Sequence, residues 1–225
     1  MRIRVNKKYN YILFDLDGTL TDSAPGITNS IMYALKHFGI RIEDRLELYK
    51  FVGPPLHDTF SKYFHFTEEE TNEAITLYRE YFTEKGMFEN VVYQGIPPLL
   101  KNLKASDKKL ILATSKPTQF AEKILEHFDL LKYFDFVVGS NLDGTRRDKG
   151  EIIRFVLEHY NITECGNVVM IGDREHDVIG ARNCGIKSIG VLYGYGDKQE
   201  LEDAGADYIA QTVEELEHLL SVTDC

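Results

Sequence analysis

The sequence predicts an α/β fold: a Rossmann-like open parallel sheet with a small all-helical domain inserted after its first strand. Two observations carry this. Short apolar runs bounded by turn residues alternate with helical patterns along most of the chain. Such runs suit strands buried on both faces and joined by helices. The stretch from about Pro25 to Asn90 breaks the alternation, because it shows helical patterns only. The predicted division is a core from residues 1–24 and 91–225 and a helical domain from 25–90.

The first strand-like run, Tyr11-Ile12-Leu13-Phe14, ends at a carboxylate. Leu110-Ile111-Leu112-Ala113 ends at Thr114-Ser115, and Phe134-Asp135-Phe136-Val137-Val138 ends at Gly139-Ser140. Asn167-Val168-Val169-Met170-Ile171 ends at Gly172-Asp173, and Ser188-Ile189-Gly190-Val191-Leu192 runs into a glycine-rich loop. Polar residues thus collect at the C-terminal ends of strands, where open α/β sheets bind ligands. In the helical stretch, Ile27, Ile31, Ala34, Leu35 and Phe38 recur at helical spacing, with Gly39 closing that helix. Thr67 and Glu70 form a predicted capping box, and Gly53-Pro54-Pro55 breaks the pattern between helices.

The chain has 225 residues, 43% hydrophobic and 28% charged, with a formal net charge of -10. That charge works against binding nucleic acid or an anionic membrane. It leaves a small anionic substrate open, since a bound cation reverses the local sign. Three cysteines without a CxxC pair suit a reduced, cytoplasmic chain. Residues 1–8 are basic, but no apolar stretch of signal-peptide or membrane-helix length follows. No feature of the sequence specifies an oligomeric state.

Four clusters carry candidate chemistry. Asp15 and Asp17 stand close together before Gly18 at the end of the first strand. Two such carboxylates repel unless a cation compensates, and hard oxygen ligands favour Mg2+; the plain alternative is a solvated Asp-Gly turn. Asp173 and Asp177 fall about one helical turn apart after another strand, as a ligand pair or as an acidic first turn. Thr114, Ser115 and Lys116 precede Pro117, where hydroxyls and backbone N–H groups either hold a phosphate or cap a helix. Arg146, Arg147 and Lys149 open a later helix, as a charge-neutralising cation or as a solvated charged start.

The order of these motifs resembles the haloacid dehalogenase-like hydrolase superfamily over essentially the whole chain. The block Phe14-Asp15-Leu16-Asp17-Gly18-Thr19-Leu20 is its most specific part. A helical insert directly after it is similar to the phosphoglycolate phosphatase-like branch. The resemblance implies a Mg2+-dependent phosphatase acting on a small phosphorylated metabolite, with 2-phosphoglycolate as one candidate. It implies that Asp15 attacks phosphorus and becomes a phospho-aspartate. Asp17 protonates the leaving alkoxide and then activates water. Thr114 bonds the transferring phosphoryl group, and Lys149 balances charge, with Lys116 as a nearby candidate for that role. The implied metal set is Asp15, Asp17 (through its backbone carbonyl), Asp173 and Asp177. The insert is implied to be a mobile cap. Gly18, Ser23, Gly53, Ser115, Lys116 and Arg147 are the residues expected to face the substrate.

This chain departs from many relatives with Gly150-Glu151 after Lys149, where a proline is common, and with Ser115 where Asn is common. Alternatives on the same fold are a phosphosugar mutase of the β-phosphoglucomutase kind, a pyrophosphatase and a 5'-nucleotidase. A non-catalytic binding protein is a further class, but such proteins are expected to lose Asp15, Asp17 or the Asp173 pair, and all are present.

Overall fold

The structure, a computed structural model, describes residues 9–221; the basic segment 1–8 and Cys225 lie outside the described residues. Strand β1 (Tyr11–Phe14) leads through a tight turn into the two-residue β2 (Thr21–Asp22). Helix α1 (Ala24–His37) follows, then a 3-10 turn at Arg45–Phe51, the short α2 (Leu56–Asp58), a π turn at Thr59–Tyr63 and α3 (Glu68–Tyr81). A second π turn, Phe82–Gly86, leads to β3 (Val91–Val92) and α4 (Ile96–Ala105). Strands and helices then alternate: β4 (Lys109–Pro117), α5 (Thr118–His127), β5 (Phe136–Ser140), α6 (Lys149–His159), β6 (Val168–Gly172) and α7 (Glu175–Asn183). The chain closes with β7 (Lys187–Val191), α8 (Lys198–Ala204), β8 (Tyr208–Ala210) and α9 (Val213–Ser221).

Six parallel strands form one sheet in the order β5-β4-β1-β6-β7-β8. Leu13 pairs with Ile111 of β4 and with Met170 of β6. Alternation of side chains sorts these strands onto two faces. Ile12, Phe14, Leu110, Leu112, Val169 and Ile171 pack on one face, against residues of α4, α5 and α9. Leu13, Ile111, Ala113, Val168 and Met170 pack on the other, against Ile152, Ile153 and Val156 of α6. Burial on both faces explains the continuous apolar runs. From β1 the chain proceeds to β4 and β5 on one side, and β6, β7 and β8 complete the other side. The crevice beyond β1 is therefore the switch point at which such sheets bind ligands.

Between β2 and β3 the described residues are helices and turns. These two strands pair antiparallel, Thr21 with Val92 and Asp22 with Val91, so the insert's entry and exit sit side by side. The capping box of α3 is present: Thr67 accepts from the Glu70 N–H, and Glu70 accepts from the Thr67 N–H at 2.8 Å. Gly39 (φ +70°) follows α1 just past its end.

Some strands differ from expectation. β5 begins at Phe136 rather than Phe134. β8 and the β2–β3 pair are too short to show as periodic runs. β4 continues to Pro117, so Thr114 and Ser115 lie inside the strand and do not cap α5, which starts at Thr118. The cause is a register shift against β5 between Ala113 and Pro117. It is permitted by Gly139, where a Cβ would stand 2.0 Å from the Lys116 carbonyl oxygen. No described helix is long and apolar enough to cross a membrane.

Candidate active site

Asp15 follows β1 directly, and its N–H donates to the Ile171 carbonyl at 2.9 Å, which continues the pairing with β6. This backbone contact fixes the carboxylate at the sheet's switch point. Its Oδ1 accepts from the Leu16 N–H at 2.8 Å and lies 3.1 Å from Lys149 Nζ. Lys149 opens α6 after Asp148, which caps the helix by accepting from Glu151 N–H. Lys149 Nζ also lies 2.7 Å from Asp177 Oδ1 and donates to the Ala113 carbonyl at 3.0 Å. Gly180 of α7 makes room for the lysine, since a Cβ there would stand 2.9 Å from Lys149 Cγ.

Asp15, Asp173 and Asp177 bring one carboxylate oxygen each within 4.8 Å of one another, and all three are buried. Asp173 Oδ2 accepts from the Tyr195 N–H at 2.8 Å, while its Oδ1 has no partner. Asp177 Oδ2 accepts from the Arg174 N–H at 3.3 Å. Burial pushes the Asp173 pKa well above the ordinary value; Asp177 adds to the rise and the Tyr195 N–H opposes it. Burial pushes Asp177 up to about 6; Lys149 pulls it down, and Asp15 pushes it up. Burial works against the Lys149 ammonium, but Asp15 and Asp177 outweigh it and raise its pKa. Three buried carboxylates against one ammonium leave negative charge uncompensated. Together with the orphaned Asp173 oxygen, this fits a divalent cation held by oxygen donors.

Asp17 is buried but its side chain turns away from this trio. Its Oδ2 lies 2.9 Å from Lys116 Nζ, and its Oδ1 has no partner. The two lysines thus separate by partner: Lys149 faces Asp15, and Lys116 faces Asp17. Phe82 of the insert lies over Lys116, its ring centroid 4.5 Å from Nζ. Thr114 is buried in β4, and its Oγ1 accepts from the Lys116 N–H at 3.3 Å. Gly18 (φ +78°) packs on Asp173; a Cβ would stand 2.1 Å from Oδ2.

A cleft of about 140 Å³ opens beside Asp17 between the insert and the core. Its walls are largely apolar and aromatic, including Phe51, Tyr78, Phe82 and Phe120. Gly53, Ser115, Lys116 and Arg147 line it. Ser23 does not: it is buried at the start of α1 with its Oγ unpartnered. Arg146 is also spent elsewhere, donating to the Gly139 carbonyl at 3.0 Å and lying over the Phe155 ring. Arg147 is exposed, lines the cleft and makes no hydrogen bond or ion pair among the described residues.

Sequence reasoning missed Tyr78, Arg79 and Phe82 at the cleft, and Tyr195 beside Asp173. The Gly194-Tyr195-Gly196 loop was the available signal for Tyr195. The insert residues gave none, because a buried aromatic at helical spacing reads as core.

Known proteins bear on the same architecture. A 5'-nucleotidase from Pseudomonas aeruginosa is 45% identical over 86% of this chain and 87% of its own length. The tyrosine-protein kinase PtkA from Mycobacterium tuberculosis is 36% identical over 94% of this chain and 72% of its own length. A crystal structure of a predicted phosphatase from Clostridium acetobutylicum, 54% identical, superposes with a TM-score of 0.92, covering 94% of this chain and 98% of that one. The haloacid dehalogenase-like hydrolase model matches residues 12–191, and on that match this chain belongs to the haloacid dehalogenase-like hydrolase family.

Proposed function

We propose that the chain is a Mg2+-dependent phosphatase that hydrolyses a small phosphate monoester through a phospho-aspartate at Asp15. The observation that carries the reading is the convergence of Asp15, Lys149, Asp173 and Asp177 beside the adjoining ends of β1 and β6, with the Asp17–Lys116 pair beside a cleft. Asp15, Asp173 and Asp177, with the Asp17 backbone carbonyl, would hold Mg2+. When bound, Mg2+ supplies charge neutralisation at the phosphate oxygens.

In this reading the Asp15 carboxylate forms a bond to phosphorus as the bond from phosphorus to the substrate oxygen breaks. Lys149, 3.1 Å from Asp15 Oδ1, offsets charge on the phosphoryl group. Thr114 donates a hydrogen bond to that group. Asp17 gives a proton to the departing alkoxide. It then takes a proton from water, whose oxygen attacks phosphorus and releases phosphate and the Asp15 carboxylate. Splitting the reaction into two transfers suits a monoester that is very slow to react in water. The insert of residues 25–90 acts as a cap, and its aromatic side chains exclude bulk water from the cleft.

The cleft favours one substrate class over another. Its apolar, aromatic walls with Arg79 and Arg147 at hand suit a nucleoside monophosphate better than 2-phosphoglycolate, which has no apolar body to bury. The relative named 5'-nucleotidase points the same way. A cytoplasmic setting belongs to the same proposal and fits the free thiols of Cys165 and Cys184.

The test is phosphate release with Mg2+ from p-nitrophenyl phosphate and from nucleoside monophosphates, phosphoglycolate and sugar phosphates. Asp15→Asn is expected to lower kcat by about 10³-fold or more, as for other lost nucleophiles. An unimpaired variant ends the proposal.

A further inference from the structure

The root of the helical insert is tied to Asp173 through a single residue. Helix α1 begins at Ala24, and Ser23 at its N-cap makes no side-chain capping bond. The Ala24 N–H donates instead to the Tyr195 hydroxyl at 2.8 Å, from a position 171 residues away in sequence, and more weakly to Asp22 Oδ1 at 3.3 Å. That hydroxyl in turn donates to Asp22 Oδ1 at 2.7 Å. Tyr195 therefore supplies the nearer acceptor for one of the N–H groups that a helix start leaves without an intrahelical partner. The backbone N–H of the same residue donates to Asp173 Oδ2 at 2.8 Å. Its side chain holds the start of the insert while its main chain holds a carboxylate of the acidic trio.

The surroundings leave this link little slack. A Cβ on Gly194 would stand 2.4 Å from Asp173 Cβ and 2.3 Å from the Gly18 carbonyl oxygen. On Gly196 it would stand 2.0 Å from the Asp173 carbonyl oxygen. The loop bearing Tyr195 is thus pressed onto Asp173 by backbone on both sides. Helix α1 is joined as closely to the far end of the insert, since a Cβ on Gly26 would stand 1.8 Å from the Gly86 carbonyl oxygen. The ring of Tyr49, also in the insert, packs edge-on against Tyr195 with centroids 6.1 Å apart. A displacement of α1 carries the insert with it, and it must either break the contacts of the Tyr195 hydroxyl or move the Tyr195 amide on Asp173.

We propose that Tyr195 is a positioning residue that couples the placement of the helical insert to the orientation of Asp173. The inference rests on the reading above, in which residues 25–90 form a mobile cap and Asp173 is a metal ligand. Cation binding at Asp173 then favours the closed insert, and the closed insert favours cation binding by the same factor.

Hydrogen–deuterium exchange on the full chain, with and without MgCl2, tests this. The comparison is wild type against Tyr195→Phe, which removes the hydroxyl and keeps the ring and the amide. In wild type, Mg2+ is expected to slow exchange in segment 172–177 and also in segment 23–30. The second effect should be roughly 5-fold or more, the low end of coupling between sites. In Tyr195→Phe, Mg2+ should still slow 172–177 but leave 23–30 nearly unchanged. Asp22→Asn keeps Tyr195 and weakens the acceptor of its hydroxyl, so it carries the same expectation if Tyr195→Phe does not fold. Equal slowing of 23–30 in wild type and variant overturns the inference. So does wild-type slowing confined to 172–177, a result that leaves the proposed metal site standing. No effect of Mg2+ on 172–177 in wild type removes the metal site and the coupling together.

Discussion

Lys149 is the cation on which two buried carboxylates depend, at 3.1 Å from Asp15 and 2.7 Å from Asp177. Breaking a buried pair by removing one partner strands the other charge, at a cost of about 3–5 kcal/mol. Lys149→Met is therefore expected to melt well below wild type without Mg2+ and to recover part of the difference with it; a thermal melt in each condition measures this. Gly18 is constrained in another way. Its φ of +78° disfavours any side chain, and a Cβ would strike Asp173 Oδ2. Gly18→Ala should cost about 1–3 kcal/mol from backbone strain. It should also weaken the Mg2+-induced rise in melting temperature, which a purely conformational cost would leave intact.

Among the elements, α3 and β4 show how local chemistry and tertiary pairing divide the work. The start of α3 is set by its own residues, because Thr67 and Glu70 satisfy each other's backbone donors. Thr67→Ala is expected to lower stability by about 1 kcal/mol while leaving kcat unchanged, since the cap is exposed and lies outside the cleft; chemical denaturation and a rate assay check the two halves. The end of β4 is set by its neighbour. Thr114-Ser115-Lys116-Pro117 reads locally as a helix start, yet pairing with β5 across a register shift keeps it extended to Pro117. That extension points Lys116 at Asp17. In α1, Gly26 is needed for close approach to Gly86, so Gly26→Val should loosen the insert and raise its rate of proteolysis.

Across the whole molecule, the acidic trio links stability to pH and, as the proposed Mg2+ site, to cation binding. The pKa of Asp177, about 6 in the folded chain, lies above its ordinary value of 3.8; burial raises that of Asp173 as well. A carboxyl whose folded pKa is raised binds its proton more tightly when folded, so it stabilises at low pH. That contribution is lost as pH rises from about 3.8 through the folded value. Mg2+ takes the proton's place only where the carboxylates are ionised. The gain in melting temperature from Mg2+ is thus expected to be larger at pH 7.5 than at pH 5. At 100 times Kd, mass action gives about 2.7 kcal/mol, or several degrees for a chain of this size. An equal gain at both pH values would contradict this assignment of the cation's ligands.

The sequence by itself determined the sheet, the place of the helical insert and the residues at the strand ends. Asp15, Asp17, Thr114 and Asp173 were legible because buried parallel strands are continuous apolar runs, and polar residues at their ends stand out; Lys149 and Asp177, on helices, were singled out through the order of motifs that resembles the family. Which of these meet was decided only by the tertiary structure. The pairing of Lys149 with Asp15 and Asp177, and of Lys116 with Asp17, depends on strand order and on the register shift of β4, neither of which has a local signature. The exclusion of Ser23 and Arg146 from the cleft, and the inclusion of Tyr78 and Phe82, follow from how the insert packs on the core. Tyr195 shows the limit most plainly. A tyrosine between two glycines names a turn, but the groups it joins, Asp22 and Ala24 on one side and Asp173 on the other, are far from each other in sequence, and contact at that separation exists only once the chain has folded.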